Sequence, residues 1–199
     1  MIVGENFKKL NLPKSTIRTK IKNGALIKTS DLAARFEIPY LNADHNSDEL
    51  VKKLHQIKPR LGLIGGARII DQKIIDCFST GIINFHPGIL PEVRGLDSML
   101  WAILNGIDQG VSSHIIDRKV DAGSVIDIQK IEINRDDTIF DISEKLYSKQ
   151  LDMIWDTYQK SLNDDFLDIN FEGTKSYSKM PADLEQKLSI AEYIDSKGS

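Results

Sequence analysis

The pattern of apolar and polar positions between residues 28 and 70 predicts helices alternating with strands. The segments LAARF and ELVKKLHQI carry apolar residues three and four apart, and each follows a group of Ser, Thr, Asn or Asp residues that can cap a helix. The segments IPYL and LGLIGGARII come after them, and the second is an unbroken apolar run. Such a run is typical of a strand covered on both faces. The alternation therefore predicts a βαβ arrangement with a mostly parallel sheet flanked by helices.

The second half of the chain continues the α/β pattern. The segments GIINF, VSSHII and SVIDIQKIEI read as strands, and residues 98–104 read as a helix. Asp136, Asp137 and Thr138 can cap one long amphipathic helix over residues 139–162. The residues after Asn163 are polar and carry a few apolar anchors. We predict one domain over residues 1–165 and a polar C-terminal tail, residues 166–199, packing on the same domain.

Composition and charge exclude several classes of protein. The chain has 199 residues, of which 41% are hydrophobic and 28% charged, enough apolar surface to build a core and exclude general disorder. A net charge of −3 disfavours nucleic acid as a partner. Cys77 is the only cysteine, so no internal disulfide can form and a reducing compartment fits best. Without a signal-peptide pattern or a run of roughly 20 apolar residues, we expect a cytoplasmic protein with no membrane partner.

Polar residues at the ends of apolar strands are the candidates for chemistry. Asn84 and His86 are two apart, so their side chains point to the same side if the strand continues through them. Asp121 and His114 belong to the next pair of predicted strands and the loop between them. Taken alone, these residues also fit structural hydrogen bonding, turn formation or metal ligation. No metal site is predicted, because HxH and HExxH spacings are missing and the cysteine stands alone.

Two sequence segments, in the same order along the chain, resemble motifs of the folate-dependent formyltransferase family. The run IINFHPGILPEVRGLDSMLWAILNG is similar to the family's Asn-x-His-Pro signature with the helix after it, and GVSSHIIDRKVDAGSVI is similar to its second block. GGARII resembles the segment that lines the folate pocket. The resemblance implies a Rossmann-like formyltransferase domain. MIVGENF is similar to the second strand of that domain, so the usual first strand and helix, with their Gly-rich turn, are expected to be missing.

The resemblance also implies an activity, namely transfer of a formyl group from 10-formyltetrahydrofolate to a primary amine without a metal. Asn84 and His86 would donate hydrogen bonds to the oxyanion that forms on the formyl group, and Asp121 would relay the proton of the amine. The residues implied in folate binding are Gly66, Ala67, Arg68, Ile69, Asp117 and Val120. Those implied on the acceptor side are Gly88, Leu90, Pro91, Arg94, Gly95 and His114. Gly88 stands where many members have Ser.

Several acceptors remain open. The favoured one is the amino group of a nucleotide-linked amino sugar of surface polysaccharide (O-antigen or lipopolysaccharide) biosynthesis. Glycinamide ribonucleotide and methionyl-tRNA are alternatives, although the first would need the Gly-rich turn and the second a basic surface. A formyltetrahydrofolate hydrolase would use the same trio, and a folate-binding protein without turnover is a further reading. The apolar stripe of the long helix allows a homodimer.

Overall fold

The residues described in the computed structural model, 1–5, 27–66, 69–117, 121 and 123–197, divide into two units. The first contains the described residues up to Gly81, and the second those from Ile82 onwards. Each has its own set of buried apolar residues. Within the described ranges, no helix is both long and apolar enough to cross a membrane.

The first unit has the predicted alternation of helices and strands. In chain order its elements are β1 (Ile2–Gly4), α1 (Thr29–Arg35), β2 (Tyr40–Asn42), α2 (Asp48–Ile57), β3 (Leu61–Leu63) and α3 (Gln72–Ile75). Strands β1 and β2 pair in parallel. The cap predicted for α2 is present, since the Ser47 hydroxyl accepts a hydrogen bond from the Leu50 N–H at 3.2 Å. Lys58, in the left-handed conformation, and Pro59 follow the last turn.

The second unit is built on three antiparallel strands. Its elements are β4 (Gly81–His86), β5 (Arg94–Gly95), α4 (Ser98–Leu104), β6 (Gly110–Ile115), β7 (Val125–Lys130), α5 (Ile139–Asp152), α6 (Ile154–Leu162), β8 (Ser176–Tyr177), α7 (Ala182–Glu185) and α8 (Ile190–Lys197). β6 pairs antiparallel with both β4 and β7. The link between β6 and β7 is shorter than the dozen or so residues that a parallel crossover needs. The protein therefore contains parallel and antiparallel pairs.

The single helix predicted over residues 139–162 is two helices, α5 and α6, separated at Met153. The predicted cap is present, because Thr138 and Asp141 form a reciprocal capping box. No proline or glycine marks the break in the sequence. Met153 itself is buried, as are Leu146 before it and Thr157 after it, so the inward stripe continues across the interruption.

The residues after 165 pack on the second unit. Met180 and Tyr193 belong to the same apolar cluster as Leu100 and Ile142. The Tyr193 hydroxyl donates a hydrogen bond to the Ile107 carbonyl at 2.9 Å, and burial raises the pKa of Tyr193 to about 12. The tail therefore contributes to the core of this unit, while the predicted domain boundary at residue 165 stays a prediction.

Candidate active site

The antiparallel register of β4 and β6 places four polar residues opposite one another in two pairs. Asn84 lies opposite His114, and His86 lies opposite Ser112. The Nδ2 atom of Asn84 is 3.2 Å from Nε2 of His114. Alternation along a strand explains why Asn84 and His86 share one side of the sheet, as predicted. The contact with His114 depends on the pairing of two strands and is not visible in the sequence spacing.

Asp121 joins these residues from the loop after β6. Its Oδ2 atom lies 3.4 Å from Nδ1 of His86, and its Oδ1 atom lies 3.4 Å from Nε2 of His114. Both imidazoles are almost completely buried, and the Asp121 side chain is 12% exposed. The structure therefore brings together all four residues singled out for chemistry, Asn84, His86, His114 and Asp121.

The backbone of Asp121 is held in an unusual conformation. Its φ is +46°, in the left-handed region that a residue with a side chain rarely adopts. The Nε–H group of Arg94 donates to the Asp121 carbonyl at 3.1 Å, and the Gly95 N–H donates to its Oδ2 atom at 2.9 Å. Strand β5 thus fixes both the main chain and the carboxylate of Asp121.

His86 is a neutral imidazole with a defined tautomer. Its Nε2 atom lies 2.7 Å from the carbonyl oxygen of Val93, which can only accept, so Nε2 carries the proton. Burial lowers the pKa of His86 below its ordinary value of 6.5, although the charge of Asp121 and the Val93 carbonyl act in the opposite direction. The lone pair on Nδ1 consequently faces the Asp121 carboxylate.

Asp121 is ionised beside this ring. Burial alone would raise its pKa, but the hydrogen bond from His114, the positive charge that His86 carries when it is protonated and the N–H group of Gly95 together lower the pKa below 3.8. A basic imidazole nitrogen next to a carboxylate can take up a proton, because the carboxylate stabilises the imidazolium that forms. The pair is suited to proton transfer at Nδ1 of His86.

The loop after His86 is fixed by the hydroxyl of Ser112. The Ser112 hydroxyl donates to the Gly88 carbonyl at 2.8 Å and accepts from the Leu90 N–H at 3.0 Å. A Cβ atom at Gly88 would lie 2.8 Å from Nε2 of His86. A Ser at this position would press on the ring that donates to Val93, so glycine fits the position of His86 seen here. Leu90 is buried and is followed by a cis peptide bond to Pro91.

Arg94 and Gly95 were predicted to contact the acceptor, and the structure gives both of them partners within the protein. Arg94 is 9% exposed, and its Nη1 atom donates to the Thr174 hydroxyl at 2.8 Å. Its guanidinium also lies over the ring of Phe171, 5.5 Å from the ring centre. Sequence reasoning missed Thr174 and recognised Phe171 only as an apolar anchor of the tail, because nothing in the polar tail marks a contact with a strand about 80 residues earlier in the chain.

The segment predicted to line the folate pocket is held by a neighbouring loop. The Ile69 carbonyl accepts from Nδ2 of Asn46 at 3.0 Å and lies 3.2 Å from Nε2 of His45, while Oδ1 of Asn46 accepts from the Asp71 N–H at 2.8 Å. The amide of Asn46 thus pairs with residues 69 and 71 as a neighbouring strand would. Ile69 is itself 78% exposed. Gly66 is also described, but Ala67, Arg68 and Val120 lie outside the described residues.

Two further features lie near predicted folate residues. His45 is backed by Glu5, whose carboxylate bonds both the backbone N–H and Nδ1 of His45. Glu5 and His45, together with Asp44, form a group whose potential ligand atoms lie within 4.8 Å of one another. The pairing of Glu5 with His45 accounts for this group without an ion. Asp117 lines a cavity of about 330 Å³ together with Ser124, Phe166, Ile169 and Phe171, among others.

Comparison with known proteins identifies the family. Residues 10–157 match the model of the formyl transferase family, which is more than half of the chain. The chain belongs to the formyl transferase family. A methionyl-tRNA formyltransferase from Thermodesulfovibrio yellowstonii is 32% identical over 115 residues, which cover 57% of this chain and 37% of that protein. The chain spans half or less of the length of the curated relatives that it matches here.

Solved structures confirm the predicted Rossmann-like formyltransferase fold. The formyltransferase PseJ from Anoxybacillus kamchatkensis, in complex with UDP-4,6-dideoxy-4-formamido-L-AltNAc and tetrahydrofolate, superposes with a TM-score of 0.62 at 22% identity over 81% of this chain and 86% of that chain. An N-formyltransferase from Helicobacter canadensis, in complex with folinic acid and dTDP-3-aminofucose, gives a TM-score of 0.59 at 23% identity over 76% of this chain and 54% of that chain.

Proposed function

We propose that this formyl transferase family member transfers a formyl group from 10-formyltetrahydrofolate to the amino group of a nucleotide-linked amino sugar. The observation that carries the proposal is the cluster of Asn84, His86, His114 and Asp121, an amide, two buried imidazoles and a carboxylate joined by contacts of 3.4 Å or less. Membership of the formyl transferase family supports formyl transfer as the reaction. The side chains of the cluster can donate hydrogen bonds and transfer protons, as this reaction requires.

The chemistry requires one bond to form, one to break and one proton to move. The amine nitrogen attacks the formyl carbon, the carbon–nitrogen bond to the folate breaks, and the proton lost by the amine is returned to the folate nitrogen. The Asn84 amide is suited to donate to the negative charge that develops on the formyl oxygen, a contact contributing about 3 kcal/mol to the transition state. Because Nε2 of His86 donates to Val93, we assign the proton transfer to Nδ1 of His86 with Asp121.

This assignment differs in part from the sequence expectation. The resemblance implied that His86 would donate to the oxyanion together with Asn84. The only N–H group of the neutral His86 ring already donates to the Val93 carbonyl, so Asn84 is left to contact the formyl oxygen. Asp121 keeps the expected role in handling the proton of the amine.

The choice of a sugar acceptor is supported by the similar structures and by charge. Both formyltransferase structures described above were solved with a nucleotide-linked sugar. The net charge of −3 disfavours tRNA, the acceptor named for the methionyl-tRNA formyltransferase relative. A modified sugar of this kind would enter surface polysaccharide such as O-antigen or lipopolysaccharide.

The proposal is tested by following tetrahydrofolate release from 10-formyltetrahydrofolate. The acceptors are UDP-, dTDP- and GDP-linked amino sugars, glycinamide ribonucleotide, methionyl-tRNA and none. Turnover with an amino sugar only is the expected result. Release without an acceptor would mean a hydrolase, transfer to glycinamide ribonucleotide or methionyl-tRNA would replace the proposed acceptor, and folate binding without release would mean a binding protein.

A matched pair of variants links turnover to the cluster. Asp121→Asn removes the carboxylate beside His86 and is expected to lower kcat by a factor of about 10² to 10⁴, the usual contribution of a proton-transfer group. Asp183→Asn makes the same change at an exposed position of α7 and should leave kcat unchanged. Equal activity of Asp121→Asn and the wild-type protein would contradict the mechanism.

A second copy of this chain is the partner that we propose for the outer face of α5 and α6. Apolar side chains on this face are exposed to solvent in the single chain, while Ile142, Leu146 and Met153 of the same segment point into the core. The outward residues lie about one or two helical turns apart, which makes a continuous stripe. They are Phe140, Tyr147, Leu151, Ile154 and Trp155.

A further inference from the structure

We infer that the C-terminal segment 171–180 is part of the active-site scaffold, and that Thr174 and Phe171 act through Arg94 as positioning residues for Asp121. The inference rests on the proposed function, in which Asp121 is the carboxylate that handles the proton. It assigns a role to a segment that follows the matched family region, residues 10–157.

A chain of hydrogen bonds connects the tail with Asp121. The Thr174 hydroxyl donates to the Phe171 carbonyl at 2.7 Å and accepts from Nη1 of Arg94 at 2.8 Å. Nε of the same guanidinium donates to the Asp121 carbonyl at 3.1 Å. The planar group of Arg94 therefore has its orientation fixed at one edge by Thr174 and uses the other edge to hold Asp121. The ring of Phe171 covers its face.

A second connection runs through the backbone of β5. The Gly95 N–H donates to the Asp121 carboxylate, and Gly95 pairs in parallel with Tyr177 of β8. A Cβ atom at Gly95 would lie 2.2 Å from the Tyr177 carbonyl oxygen, which shows how closely the two chains approach. The Leu96 N–H donates a hydrogen bond to the Tyr177 carbonyl oxygen at 2.9 Å. The tail thus sets the position of the N–H group that contacts the carboxylate.

Aromatic stacking and further hydrogen bonds attach β8 to the unit. The rings of Trp101 and Tyr177 stack with their centres 4.8 Å apart, and Nε1 of Trp101 donates to the Ser178 carbonyl at 2.9 Å. The Met180 N–H donates to Oδ2 of Asp97 at 2.9 Å. Residues 177–180 are therefore held against α4 and the turn before it, so β8 is a fixed support for β5.

The local sequence of the tail builds the turn that presents Thr174. Gly173 has φ of +73°, and the Thr174 N–H donates to the Phe171 carbonyl at 3.2 Å. The Asn170 side chain accepts from the Glu172 N–H at 2.8 Å, an Asx turn that starts the reversal. The turn places the Phe171 ring and the Thr174 hydroxyl against the same guanidinium.

The conformation of Asp121 explains why such support is needed. A non-glycine residue at φ +46° costs on the order of 1 kcal/mol and persists only where the surroundings fix it. Proton transfer is sensitive to position, and a displacement of about 1 Å can cost about 10²-fold in rate. With the Arg94 contact weakened, the main chain of Asp121 is held less firmly, so its carboxylate can shift away from Nδ1 of His86, now at 3.4 Å.

The test compares Thr174→Val, which keeps the shape of the side chain and removes the hydroxyl, with Thr174→Ser, which keeps the hydroxyl. Steady-state kinetics give kcat and KM for the formyl donor, and proton NMR gives the pKa of His86. For Thr174→Val we expect kcat to fall roughly tenfold at an unchanged KM. We also expect a lower pKa of His86, because the nearby negative charge that raises this pKa has moved away. Thr174→Ser should behave as the wild-type protein.

Controls separate positioning from stability and from the proposed function. Lys187→Ala alters the same polar tail at an exposed position outside segment 171–180, and it should change neither kcat nor the pKa of His86. In Asp121→Asn the carboxylate beside His86 is removed. The pKa of His86 in Thr174→Val should therefore lie between the pKa in Asp121→Asn and the pKa in the wild-type protein. An unchanged kcat and pKa in folded Thr174→Val, or an equal loss in Thr174→Ser, would overturn the inference. If the wild-type protein transfers no formyl group, the proposed function fails and the NMR titration alone decides the inference.

Discussion

At the scale of single residues, the charge state of His86 links the site to stability. Burial of its ring lowers the pKa of His86 despite the opposing effects of Asp121 and the Val93 carbonyl, so the folded protein holds His86 neutral at a pH where an unfolded chain would begin to protonate it. The pKa of Asp121 is also below its ordinary value in the folded state. Both shifts mean that the unfolded state binds more protons than the folded state as the pH falls.

The free energy of unfolding is therefore expected to decrease as the pH falls below about 6.5, the ordinary pKa of His, and to decrease further below 3.8, that of Asp. One group contributes at most about 1.4 kcal/mol per pH unit between its folded and unfolded pKa values. Urea denaturation from pH 7.5 to 5.0 measures this slope. His86→Gln should flatten it, whereas His55→Gln, at an exposed position of α2, should not. An equal slope in the wild type and His86→Gln would contradict the prediction.

The candidate residues could be predicted from the sequence, but most of the contacts between them could not. Asn84 and His86 could be placed on one side of a strand because their spacing matches its period of two. Asp121 was selected as a polar residue in the loop after a predicted strand, but its contact with His86 could not be predicted because no spacing connects the two residues. The donor to Asp121, Arg94, was expected to contact the acceptor instead. Its partner Thr174 had no signal, because a contact between a tail hydroxyl and a strand about 80 residues earlier depends on the tertiary fold.

At the scale of elements, the two-residue pairing of β5 with β8 depends on Gly95. Gly95→Ala would place a Cβ atom 2.2 Å from the Tyr177 carbonyl oxygen, at φ of +93°. We expect a loss of stability greater than the roughly 1 kcal/mol of backbone strain alone. Gly106→Ala is the matched control, because Gly106 also has a positive φ of +64° but a Cβ atom added there would meet nothing within 4 Å.

Urea denaturation of these two variants separates the steric effect from the conformational one. Gly95→Ala should be clearly less stable than Gly106→Ala and should also lose activity, because the Gly95 N–H contacts Asp121. If the two variants are equally stable and equally active, close approach of β8 does not constrain β5.

The loop between β2 and α2 offers a second prediction at this scale. Asn46→Ala removes the amide that bonds residues 69 and 71, so the predicted folate segment loses its support. We expect KM for 10-formyltetrahydrofolate to rise about tenfold, the equivalent of one or two hydrogen bonds, with a smaller change in kcat. Steady-state kinetics at a saturating acceptor concentration give both values.

Ser47→Ala is the control for Asn46→Ala. It removes the neighbouring cap of α2 and should cost about 1 kcal/mol of stability, while the contacts of Asn46 with Ile69 and Asp71 remain. KM should therefore stay near the wild-type value in Ser47→Ala. A rise of KM in both variants would show that the effect comes from stability of the loop and not from support of the folate segment.

Elements whose formation depends on nearby residues could be predicted from the sequence, and elements that depend on distant residues could not. The starts of α2 and α5 were marked by Ser47 and Thr138, whose side chains cap the helices within one turn. The interruption at Met153 was not predicted, because it lies in a continuous apolar stripe and has no local signal. The antiparallel pairing of β6 and β7 follows from the short link between them, but strand β8 is only two residues long and forms through its partner β5.

At the scale of the whole molecule, the family and its fold could be inferred from two blocks of sequence. In each block, a strand, the polar residues at its end and the following loop come in the same order as in the family. The polar tail was expected to pack on the domain, and Met180 and Tyr193 do lie in the core of the second unit. Its role beside Asp121 could not be inferred, since composition describes a polar segment in the same way whether it covers a surface or supports a site.

Self-association is the prediction that belongs to the whole molecule. Trp155 is 67% exposed and Leu151 is 51% exposed on the outer face of α5 and α6, and covering them with a second copy would remove apolar surface from water. We expect the wild-type protein to sediment as a dimer at micromolar concentration and Leu151→Glu to sediment as a monomer. Ile57→Glu is the control, because Ile57 is an equally apolar side chain, 44% exposed, at the end of α2. Sedimentation velocity over a range of concentrations checks this result. A wild-type monomer at every concentration, or the same loss of dimer in both variants, would mean that this face is not the interface.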